Sequence, residues 1–61
     1  MYFSARHYAA LIRVYFEMFN QEVPPEVLRH AAEKGLAPEL MKKLDEAIKA
    51  RVLIKVWGVA A

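Results

Sequence analysis

The 61-residue sequence has no cysteine, which excludes disulfide cross-links and every thiolate metal site. Its two histidines, His7 and His30, lie far apart in the chain. A structural zinc has no ligand set to draw on, and no metal or cofactor is expected. Threonine is missing too, and Ser4, Asn20 and Gln21 are the only serine or amide side chains, so charged residues must solvate the surface. Long apolar runs are lacking: Arg13 and Glu17 interrupt the first apolar stretch and Lys55 the last. Nothing reaches the ~20 apolar residues that a membrane-spanning helix needs. The opening residues show no charged stretch followed by an apolar one, as a secretory leader would, and the expected location is cytoplasmic. Glycine and proline occur only at positions 24, 25, 35, 38 and 58, which leaves long uninterrupted segments between them.

What is present is apolar or charged, at 57% and 26% of residues. Abundant Glu, Lys and Arg with few thermolabile amides is the composition expected of a thermophile protein. The net charge of +2 is uneven. Residues 1–25 balance, residues 26–41 carry −1, and residues 42–61 carry +3, from Lys42, Lys43, Lys49, Arg51 and Lys55 against Asp45 and Glu46. Such a tilt suits an anionic partner, and a solvated helix face gives the same pattern.

The periodicity predicts an all-α chain of one small domain, residues 1–61, built as long helix, short helix, long helix over about 3–20, 25–34 and 38–57. In the first segment Phe3, His7, Leu11, Val14 and Met18 form one row at helical spacing. Tyr8, Ile12, Tyr15 and Phe19 form the next, and Ala5, Ala9 and Phe16 a third. Only a narrow stripe through Arg6, Arg13 and Glu17 is polar, so this helix is apolar around most of its girth, more than the stripe of a little over ~100° usual at a surface. His7 is expected to pack within that apolar face. Val23 and Pro24 precede prolines and are expected to be non-helical, while Pro25 and Pro38 each suit a first helical turn with an acid beside them. Gly35 suits the end of the second helix. Residues 52–57, VLIKVW, have the β-branched content of a strand, but a lone strand has no partner within such a chain. Helix to Gly58 is therefore favoured, giving a third helix ~30 Å long.

A chain of this mass hides only about 60% of its unfolded surface, and small folds without disulfides or metals commonly gain stability by oligomerising. A first helix that needs cover on most sides points the same way. The expected assembly is a homo-oligomeric helical bundle, most simply a dimer, joined through Tyr8, Leu11, Tyr15, Met18, Leu44, Ile48 and Val52.

Two arginine–histidine pairs, Arg6-His7 and Arg29-His30, are the residues closest to acid–base chemistry, but packing and local contacts account for both. Residues 27–46 resemble a degenerate helix-turn-helix: Ala31 and Gly35 stand at the motif's spacing, followed by Leu36 and a basic helix. His30 and Lys34 occupy places the motif fills with apolar residues, and no base-reading side chain opens the second helix. The resemblance implies nucleic-acid contacts at Lys42, Lys43, Lys49 and Arg51. The function expected from the whole is a non-enzymatic helical interaction module, working by self-association and protein binding as an assembly factor, adaptor or accessory subunit. A basic nucleic-acid-binding protein is the alternative.

Overall fold

A computed structural model describes residues 3–58. Those residues form three helices and no strand: α1 (Ala5–Phe19), α2 (Pro25–Lys34) and α3 (Ala37–Ala50). Each boundary has a local cause. The Ser4 hydroxyl accepts the His7 N–H at 3.3 Å and starts α1, as an N-cap serine does. Asn20 ends the helix in the left-handed region at φ 54° and donates its N–H to the Phe16 carbonyl, a conformation asparagine tolerates better than most residues. Pro25 opens α2 with Glu26 in its first turn, where an acid complements the helix dipole. Gly35 closes α2 at φ 68°, and the Leu36 N–H also bonds the Ala31 carbonyl, at 2.7 Å.

The core is organised around α3, which buries Leu40, Met41, Leu44 and Ala47. Leu11 and Tyr15 meet it from α1, Val27 and Ala31 from α2, and Val23 from the linker between them. Both α1 and α2 pack on α3, yet no Cα of α1 comes within 8 Å of one in α2. The surface of 4463 Å² is close to the ~4,000 Å² of a folded monomer of this mass. The radius of gyration, 10.6 Å, matches the ~10.5 Å of a compact chain of this length. One copy thus covers itself to the ordinary extent, which removes the uncovered-surface ground for expecting an oligomer.

The expected third helix to residue 57 is corrected. It stops at Ala50, and Arg51 takes the left-handed conformation at φ 57°, its N–H bonding the Ala47 and Ile48 carbonyls. Residues 52–58 then form a strap without regular secondary structure that returns to the bundle. The Ile54 N–H donates to the Tyr15 hydroxyl at 3.1 Å, and Lys43 Nζ donates to the Trp57 carbonyl at 2.7 Å. The Trp57 ring meets the Tyr15 ring edge-on at 5.5 Å, and Leu53, Ile54 and Trp57 all pack on the core. A left-handed residue other than glycine costs about 1–2 kcal/mol. A large apolar side chain removed from water contributes about 1.5–3 kcal/mol, so three of them, even half-buried, outweigh that cost. As a straight helix the same residues would not return Ile54 and Trp57 to Tyr15.

His7 is a second correction: it is exposed in the first turn of α1, not packed. The covered face of α1 centres on the Tyr8, Ile12, Tyr15, Phe19 row, every member of which is buried or half-buried. His7 lies on the neighbouring row, of which only Leu11 is buried.

Candidate functional site

Of the seven residues expected at a seam between copies, Leu11, Tyr15 and Leu44 are buried inside this chain's own core. As the chain stands, these three offer no surface to a second copy. Tyr8 and Ile48 are half-buried, and only Met18 and Val52 are exposed. At Tyr15 the reason is the strap, whose Ile54 and Trp57 lie against it where a partner's side chains were expected. Burial also pushes the Tyr8 phenol above its ordinary value near 10, and its ring packs on Phe3 at 5.5 Å.

The four cations assigned to nucleic acid are differently placed from one another. Lys43 is held by the Trp57 carbonyl, and Lys49 pairs with Asp45 at 3.0 Å one turn before it. Lys42 and Arg51 are exposed. Glu39, Lys42, Glu46 and Lys49 are the charged residues most exposed along α3, so that surface alternates in sign instead of presenting a positive field.

Among the described residues, no group of three or more His, Asp or Glu side chains is placed to hold a metal ion. No helix among these residues is long and apolar enough to cross a membrane. His7 and His30 stand on different helices, one exposed and one half-buried.

Among the described residues, a groove of about 330 Å³ lies between α1 and α2. Ile12, Arg13 and Phe16 line it from α1, Pro25 and Leu28 from α2, and Glu22 and Val23 from the linker. Its shape follows from the chain between the helices. Asn20 turns the backbone through the left-handed region, and the Val23-Pro24-Pro25 stretch cannot be helical until its last residue. Together they hold α2 away from α1 and leave a gap that α3 does not fill. Ile12 and Phe16 are one turn apart, so both side chains project from one side of α1. Phe16 remains 43% exposed, an aromatic wall with water on one face.

The groove lies at the lower end of the volume range of small-molecule pockets. Its polar members are Arg13, which pairs with Glu17 at 3.4 Å, and Glu22. It brings no nucleophile beside a base and no pair of facing carboxylates. What it can do is bury an apolar side chain offered from outside, with a cation and an acid at its rim. The periodic rows pointed to an apolar α1 but not to this groove.

Comparison with known proteins finds no matching family, no matching curated protein and no matching solved structure.

Proposed function

We propose that the chain is a small non-enzymatic interaction module that binds protein, with the α1–α2 groove as its docking surface. The carrying observation is Phe16: a large aromatic ring held half in water at the mouth of an apolar groove lined by Ile12, Val23, Pro25 and Leu28. Aromatic side chains, phenylalanine among them, are enriched at protein interfaces. The partner suited to it presents one bulky apolar side chain, with polar groups placed to meet Arg13 and Glu22 at the rim.

The test is a photoreactive phenylalanine analogue at position 16, with the same group at position 42 on α3 as the control. The partner crosslinked from position 16 is then titrated against Phe16→Glu. Loss of a buried aromatic anchor lowers affinity at least about tenfold. A partner that binds Phe16→Glu as tightly as the parent, or that crosslinks equally from position 42, refutes the assignment.

Nucleic-acid binding has one observation in its favour. Val27, Ala31, Met41 and Leu44 are buried, and Gly35 is left-handed at the junction, as a helix-turn-helix frame requires. The alternating charges on α3 oppose it. Duplex DNA titrated at several salt concentrations decides: neutralising several phosphates gives a steep fall of log affinity with log salt, and a flat response removes this alternative.

A further inference from the structure

The C-terminal strap is attached to the bundle in a way that allows a second copy to supply it. We propose that two copies exchange straps, so that residues 52–58 of each lie across Tyr15 and Lys43 of the other. This deepens the interaction-module proposal by naming a partner, but it uses a surface separate from the α1–α2 groove.

Three observations lead to it. The first is where the holding contacts are. Ile54 N–H to the Tyr15 hydroxyl, Lys43 Nζ to the Trp57 carbonyl, and the Trp57 ring against Tyr15 all run between strap and bundle. The same contacts form whether the bundle belongs to the same chain or to its partner, which is what makes exchange a low-cost route to a dimer.

The second is the hinge. From Glu39 to Trp57 the sequence has neither glycine nor proline, so α3 has no local reason to stop at Ala50. It stops because Arg51 is held in the left-handed region, which an L residue other than asparagine or aspartate adopts at a cost. Closure on its own bundle requires that conformation. Exchange releases it, because α3 can continue through Arg51 before the strap departs towards the other copy, and a dimer contains two such hinges.

The third is cover. Leu53, Ile54 and Trp57 are all half-buried in the closed strap, and exchange re-forms the same burial between copies, so no apolar cover is lost when the dimer forms. The exposed apolar residues of α1 offer nothing comparable. Phe16 stands about 160° around the helix from Val14 and from Met18, so they do not form one patch. Val52, beside the hinge, is 59% exposed.

The test uses the full chain, refolded at millimolar concentration from an equal mixture of isotope-labelled and unlabelled copies. Light scattering separates monomer from dimer, and an isotope-filtered nuclear Overhauser measurement asks which copy supplies the Trp57 ring beside a labelled Tyr15. The expected result is a dimer with Tyr15–Trp57 contacts between copies. Arg51→Gly, which makes the closed hinge unstrained, is expected to lower the dimer association constant by at least about tenfold. Phe16→Glu is expected to leave it unchanged, so failure of the groove assignment and failure of the exchange are told apart. A chain that remains monomeric after concentrated refolding overturns the proposal. So does a dimer whose Tyr15–Trp57 contacts stay within each copy, or one that Arg51→Gly does not weaken.

Discussion

Replacing Tyr15 by phenylalanine removes one oxygen atom from the centre of the molecule and leaves the ring in place. The ring's packing on Phe19 at 4.7 Å and on Trp57 at 5.5 Å needs no hydroxyl, so the change isolates the bond from the Ile54 N–H. The hydrogen bond contributes about 0.5–1.5 kcal/mol net. A second effect raises the loss to about 1–3 kcal/mol where the backbone donor is left buried without an acceptor. The bond is only part-buried, so water relieves part of the second effect and the expected loss is about 1–2 kcal/mol. For a chain of this size each kcal/mol lowers the melting temperature by roughly 4–8 °C. Urea unfolding should show the loss as a lower midpoint with an unchanged slope, and the Ile54 amide should exchange with solvent about tenfold faster or more. A Tyr15→Phe protein with parental stability and unchanged Ile54 exchange would refute the account of how the strap is held.

Leu44→Ala empties a fully buried position on α3, and a cost of about 2–5 kcal/mol is comparable with the whole stability of a small domain, so circular dichroism should show the variant largely unfolded at ambient temperature. Tyr8 gives a pH-dependent test: its phenol titrates higher in the fold than free in solution because burial disfavours the phenolate. Its contribution to stability is complete below pH about 10 and is lost as pH rises through the raised folded value. Tyr8→Phe should therefore flatten the decline in stability measured from about pH 9 to 12, and an unchanged decline would show that other groups cause it.

The junctions between helices were legible because proline and glycine act on their own backbone. Pro25 opens α2 and Gly35 closes it, as their local chemistry requires whatever the rest of the chain does. Pro38 falls within the first turn of α3. The all-helical class followed from the same punctuation and from the 3.6-residue rows. The end of α3 was not legible, since residues 52–57 carry no local stop signal. What removes them from the helix is Tyr15, thirty-nine positions earlier than Ile54, and periodicity contains no information about such a pairing. His7 failed for a related reason. A row of apolar residues shows which face of a helix is available for burial but not how far the neighbouring helix extends over it. The groove was illegible because it is a space left between α1 and α2, whereas residue patterns report surfaces that meet.

Because α1 and α2 each rest on α3 and no Cα of one comes within 8 Å of the other, the two walls of the groove are joined chiefly through α3. Its width is set by how each helix is seated on α3 and by the short linker of residues 20–24. A small sliding movement of α2 along α3, of the shear kind that packed helices allow, would open or narrow the groove without rupturing a helix–helix interface. One fold of this size could therefore admit apolar side chains of different girth, gripping an isoleucine in the narrow setting and a tryptophan in the wide one.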